Sequence, residues 1–168
     1  MHTNRLQPVI WGTTIMTGIA VIPLLNFINL FFCSGIILGG MAGVFIYSRH
    51  ASAEGVPLTH KDGVMIGLLS GILSAVLVSG INMLMMMYSD VNPVIEVSKM
   101  LNESGIKLPQ EVDLQLSKFS DEFSRYGFSP TIAVFSLVSN MIIYPLFGIL
   151  GGLLGVTIKS KRTNKTER

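Results

Sequence analysis

Three groups of side chains in this 168-residue sequence have types and spacings that could do chemistry. Met83, Met85, Met86 and Met87 place thioether sulfurs, the soft ligands that suit Cu(I), within one short run. On a helix they point around the axis and cannot all meet one ion, so methionine filling irregular gaps is the expectation. His50, Glu54, His60, Lys61 and Asp62 put imidazoles and carboxylates into one polar segment, the pairing used for general acid and base work. No nucleophile motif, metal-ligand spacing or glycine-rich phosphate loop accompanies them. Catalytic, metal and cofactor-binding residues are therefore all assigned as none, and Asp62-Gly63 is expected simply to begin a helix, where an aspartate is favoured. Asn82, and Asn140 with Ser136 and Ser139 beside Tyr144-Pro145, are polar groups inside long apolar runs, positions that invite a functional reading. An interhelical hydrogen bond of about 1 kcal/mol is the plainer role for such an asparagine.

These groups must be positioned by elements that the charge distribution defines. The chain is 49% hydrophobic and 13% charged, and all 22 Asp, Glu, Lys and Arg residues fall outside residues 6–48, 63–89 and 126–158. Ordinary soluble domains carry roughly 25% charged residues. An integral membrane protein is the implication. A membrane helix needs about 20 residues to cross roughly 30 Å of hydrocarbon. Residues 6–48 are too many for one crossing and must fold back, with the turn expected in Pro23–Asn29, where a proline and two asparagines disfavour a continuous helix. The expectation is an all-α polytopic protein with four spans at about 8–25, 30–48, 64–88 and 131–157, connected between the third and fourth by an extracytoplasmic amphipathic helical insertion at 92–126.

Orientation follows from lysine and arginine. Arg5, Arg49, Lys61, Lys159, Lys161, Arg162, Lys165 and Arg168 share one side in this topology, which is then the cytoplasm, with both termini and the basic tail 159–168. The connection from Asp90 to Arg125 holds seven of the ten acids. A sequence pI near 8.8 is thus an average over two sides. It implies contact of the tail with anionic lipid and no nucleic-acid partner. The apolar run after Arg5 is longer than a signal-peptide core, so the first helix is expected to be retained in a prokaryotic inner membrane. One cysteine, Cys33, permits no internal disulfide.

Membrane helices associate through close packing, and small residues four apart allow backbones to approach. Gly35, Gly39 and Gly43 make one such register, Gly63, Gly67 and Gly71 with Ala75 and Ser79 a second, and Gly148 with Gly152 and Gly151 with Gly155 two overlapping ones. A compact bundle and a glycine-lined permeation path both fit the pattern. Residues 37–49 and 149–161 share eight of thirteen identities, which suggests a duplicated helical hairpin. Biased composition yields such matches too. In the outer connection, Asn92-Pro93 should start a helix and Gly105 stop it. After Pro109, the residues Val112, Leu116, Phe119, Phe123 and Tyr126 form an apolar stripe. That stripe could dock on its own protein, lie in the membrane interface or meet a partner.

Ile22-Pro23, Asn26, Asn29 and Cys33, followed by Gly39-Gly40 and by Asp62-Gly63 with Gly67, resemble a group of uncharacterised prokaryotic four-helix membrane proteins grouped as a domain of unknown function. The resemblance spans about residues 12–80 and the glycine-rich end of the last helix. It implies a fold and a compartment and transfers no activity. That group tends to carry further cysteines near Cys33, which this chain lacks. With no reactive side chain inside a span, the expected role is non-enzymatic, organising or assisting a membrane partner complex. A small oligomeric channel or carrier is the alternative.

Overall fold

A computed structural model of the chain describes residues 5–26, 29, 33–88, 92–105 and 109–166, with the side chains at 93, 102 and 162–166 outside the description. Among the described residues every regular element is an α-helix and there is no strand: α1 (Leu6–Val21), α2 (Pro23–Asn26), α3 (Ser34–Ala53), α4 (His60–Tyr88), α5 (Pro93–Glu103), α6 (Gln110–Tyr126) and α7 (Pro130–Thr166). Two of them are long and apolar enough to cross a membrane: α4, of 29 residues and mean hydropathy 2.3, and α7 over Pro130–Lys161, of 32 residues and mean hydropathy 2.0.

The other two expected spans are shorter as helices. Residues 8–25 do not form one continuous helix, because Ile22 is extended at φ −78° and ψ 115° and closes α1 at Val21. Pro23 is the cause, since its ring excludes helical geometry from the residue before it. The chain then makes the single turn of α2. Residues 27, 28 and 30–32, part of the expected reversal and the start of the expected span 30–48, lie outside the described residues. The final turns of α3 carry Arg49, His50 and Ser52, which shortens its apolar stretch. The tail expected from residue 159 continues α7 to Thr166, with 167 and 168 outside the description.

The chain divides into two compact units, residues 1–78 with 139–168 and residues 79–138. In the first, α1 packs along α3, and two apolar clusters form the core. Val9, Val44, Tyr47, Ala51, Ile66 and Val156 make one. Met16, Ile36, Ala75, Val78 and Tyr144 make the other. The glycine registers are the contact surfaces around these clusters. On α4, a Cβ at Gly63 would sit 2.7 Å from the Gly152 carbonyl oxygen, and one at Gly71 2.6 Å from the Tyr144 carbonyl oxygen and the Pro145 Cα. Gly67 between them abuts the backbone of Gly148. The two overlapping registers of α7 serve two neighbours, Gly148 and Gly152 facing α4 while Gly151 meets Ile37 and Gly155 meets Val44 of α3. The α3 register faces α1: a Cβ at Gly39 would lie 3.1 Å from the Gly12 carbonyl oxygen, and one at Gly43 3.0 Å from the Pro8 carbonyl oxygen. Gly35 lies against Ile19 and Asn29.

In the unit of residues 79–138, α5 begins as expected at Asn92-Pro93, the Asn92 Oδ1 accepting from the Val94 amide at 3.0 Å. Gly105 (φ +70°) and Gly127 (φ +75°) supply the left-handed geometry after α5 and α6 that other residues resist. Of the expected α6 stripe only Phe123 is buried, while Val112 and Tyr126 stay 41% and 59% exposed, so much of that face has no cover.

The seam makes a graded prediction. Gly67→Ala drives a methyl into the α7 backbone and should cost roughly 1–3 kcal/mol, the usual range for overpacking. Gly80→Ala, where nothing lies within 4 Å, should be neutral or slightly stabilising. Denaturant titration of the two variants in one detergent compares them, and equal stabilities would remove the seam from the account of the fold.

Candidate functional site

A cavity of about 500 Å³ opens in the unit of residues 79–138. Its α4 wall is Ser79, Asn82, Met83, Met85 and Met86; Glu96 of α5 and Phe123 of α6 contribute one residue each, and Ile132, Ala133 and Ser136 come from α7. The volume lies within the roughly 300–1,000 Å³ typical of ligand pockets. Its lining is mainly apolar, with a carboxamide, two hydroxyls and one carboxylate. Three of the four clustered methionines thus share one wall, although successive helical positions point apart. Met87, half exposed, does not line it. Among the described residues no group of three or more His, Cys, Asp or Glu could hold a metal ion.

Asn82, singled out as an intramembrane polar residue, is exposed on this wall rather than buried in a helix contact. Ser136 joins it there. Asn140 lies on the part of α7 that belongs to the other unit, where it is half-buried. Glu96 and Phe123 were not identifiable as cavity residues from spacing, because a cavity wall assembled from four helices has no period in the sequence.

The cavity's α6 and α7 walls are joined by a capping arrangement. Ser129 directly precedes α7 and its Oγ accepts from the Ile132 amide at 3.2 Å, the role expected of Ser129-Pro130. Glu122, one residue before Phe123, completes it. Its carboxylate accepts from the Ser129 hydroxyl at 2.5 Å, the Thr131 hydroxyl at 2.6 Å and the Thr131 amide at 3.2 Å. The hydrogen bonds from Ser129 and Thr131, aided by Lys118, hold the Glu122 carboxyl below the usual glutamate range.

In the other unit, Asp62 is more than a helix start. It is 5% exposed. Thr59 and Asp62 form a reciprocal cap at the start of α4, the Asp62 Oδ2 accepting from the Thr59 amide at 3.0 Å and its hydroxyl at 2.6 Å. The other carboxylate oxygen accepts from the Arg5 guanidinium at 2.8 Å and the Tyr47 hydroxyl at 3.4 Å. One carboxylate thereby ties Arg5, which directly precedes α1, to α3 and α4. A hydrogen bond with Tyr47, then the Asp62 charge, raises the Arg5 pKa against the opposing effect of burial. His50 bonds its own helix, the ring nitrogen 2.9 Å from the Ile46 carbonyl oxygen, and His60 is exposed, so the structure does not assemble the imidazole–carboxylate pairing.

A hydroxyl ladder between α1 and α4 went unforeseen. Ser70 and Ser74, both fully buried, donate to the Val9 and Thr13 carbonyls at 3.2 and 3.3 Å, and the buried Thr13 hydroxyl returns a bond to the Ser70 carbonyl at 3.4 Å. The signal was present, because Ser70 and Ser74 lie one position before Gly71 and Ala75 and widen the small-residue stripe on that side.

No family model matches the chain, and neither a curated protein nor a solved structure matches it.

Two predictions follow from these anchors. Asp62→Ala removes an acceptor of four hydrogen bonds and leaves Arg5 and Tyr47 unmatched, and should cost about 1–3 kcal/mol. Arg5→Ala, at a side chain 41% exposed, should cost under about 1 kcal/mol; the reverse order in detergent unfolding would contradict the hub. The depressed Glu122 carboxyl stabilises its junction fully above the unfolded glutamate pKa, and the contribution is lost as pH falls through the lower folded value. Hydrogen exchange at the Thr131 and Ile132 amides should therefore stay slow down to about pH 4 and quicken below it. In Glu122→Gln that acid-dependent step should be gone.

Proposed function

We propose that the protein is a four-span inner-membrane protein that works without catalysis and assists a membrane partner by holding one of its apolar helical segments in the methionine-lined cavity. The cavity itself carries the reading. Three methionines supply flexible, polarizable walls that re-pack around varied apolar side chains. Glu96, exposed at the wall, forms no ion pair among the described residues. It therefore suits a segment with a lysine or arginine beside its apolar run. Ser79, Asn82 and Ser136 can exchange hydrogen bonds with the segment's polar positions.

Support for the compartment is of two kinds. Only 44% of the apolar window of α4 and 33% of that of α7 is buried, so most of their leucines and valines face outward, as suits hydrocarbon surroundings. The uncharged run from Leu6 to Ser48 is long enough for α1, α2 and α3 to provide the other two crossings, with α1 packed along α3. Lysine and arginine then set the termini in the cytoplasm. The likeness to prokaryotic four-helix membrane proteins belongs to the same reading. A carrier or channel would need a polar-lined path, whereas the glycine seams of residues 1–78 and 139–168 place backbone against backbone.

A photo-cross-linkable residue at Met86 of the full chain in native membranes tests the role. One discrete adduct is expected, reduced about tenfold by Glu96→Lys, a change of roughly 1.4 kcal/mol. Absence of an adduct, or one indifferent to both Glu96→Lys and Met83→Trp, would overturn it.

A further inference from the structure

A second, smaller cavity of about 140 Å³ lies between α3 and α7, lined by Phe45, Ser48, Arg49, Ile158 and Lys159. We propose that it binds the phosphate headgroup of an anionic phospholipid of the cytoplasmic leaflet, with the acyl chains running along α3 and α7; this rests on the topology proposed above.

Charge comes first. Arg49 and Lys159 bring two cations from different helices to one cleft, and no carboxylate is among the residues that line it. A guanidinium fork beside an ammonium is a natural pair for phosphate oxygens, the first directional and the second a compact charge. The volume is a fraction of what a whole ligand needs and matches a headgroup whose remainder lies outside.

The second observation is the surface that leads away from the cleft. Phe45 and Leu38, two turns apart on α3, are 36% and 48% exposed. On α7, Ile158, Leu154 and Leu150 are successive one-turn steps, 36%, 47% and 45% exposed. Both stripes start at the cations and run toward the uncharged interior of their helices. Gly155 against Val44 and Gly151 against Ile37 keep the helices in contact along that course. A cationic cleft at the end of two adjacent apolar tracks has the polarity of a phospholipid. Basic pockets between spans on the cytoplasmic side bind anionic headgroups in this way. Ser48 is spent on its own helix, its hydroxyl donating to the Phe45 carbonyl at 2.8 Å, so it shapes the wall.

Native mass spectrometry of the full chain, released from detergent after incubation with phosphatidylglycerol or phosphatidylcholine, tests the site. The wild type should retain phosphatidylglycerol roughly tenfold better, and Arg49→Gln with Lys159→Gln should bring the two lipids to parity. Lys161→Gln, outside the cleft, should leave the preference in place. Equal retention by the wild type, or a preference that survives the double substitution, overturns the proposal. In a parallel arm, inorganic phosphate at millimolar concentration should not raise the melting temperature; a rise matching that with phosphatidylglycerol would assign the cleft to free anion instead. The topology is read separately by labelling Ser160→Cys in a Cys33→Ser background with an impermeant maleimide from either side. Labelling from outside overturns the cytoplasmic assignment whatever the lipid result.

Discussion

Gly63, Gly67 and Gly71 of α4 meet Gly152, Gly148 and the Tyr144–Pro145 peptide of α7 with no side chain between them, and the remaining packing of residues 1–78 and 139–168 depends on that approach. In the hydrocarbon surroundings proposed for these helices, burying leucine against leucine gains little over leucine against lipid, so contact comes from shape and polar bonds. Glycine supplies the shape. Where α1 and α4 lie close, Ser70 and Ser74 reach carbonyls on the facing helix, which a short hydroxyl can do only if the backbones are near. Asp62, next to Gly63, closes the same assembly at its charged end by holding Arg5 and Tyr47.

The same α4 carries two surfaces in succession. Its register of small residues runs Gly63, Gly67, Gly71, Ala75, Ser79, and the next place is Met83. Small residues at four-residue spacing build a seam. Met83 stands with Met85 and Met86 in a wall with room beside it, and the cavity begins at Ser79 and Met83. The α7 sequence makes a matching change, from Gly148 and Gly152 to Ile132, Ala133 and Ser136. Rigid packing and adaptable packing are thus encoded on the same helices by side-chain size alone.

What could be read in the sequence was whatever has a local cause. Gly105 stops α5, Ser129-Pro130 starts α7, and the glycine registers mark close contacts, because each depends on residues within one or two turns. The break at Ile22 has an equally local cause in Pro23, yet a span drawn from hydropathy alone passes over it. Pairings between helices had no such signal. Nothing in the spacing sends Arg5 to Asp62, 57 residues away, or brings Glu96 and Phe123 to the wall that holds Asn82. The two overlapping α7 registers were legible as two, but that one meets α4 and the other α3 was not.

The distribution of charged groups bears on the two proposed contacts. Charged side chains are confined to the ends of the apolar helices and to the connection that contains α5 and α6, while the long uncharged runs hold amides, hydroxyls, thioethers and the Cys33 thiol. Amides and hydroxyls in such runs can recognise and orient a bound group. Of the charges, Asp62 and Glu122 are taken up in capping helices. Arg49, Lys159 and Glu96 line cavities, at points where apolar surface is also exposed. Charge beside uncovered apolar surface is the pattern of a contact with an amphipathic molecule. The cations fit the headgroup of a lipid and the carboxylate fits the basic flank of a membrane helix, so both proposed contacts place a charged group beside exposed apolar surface.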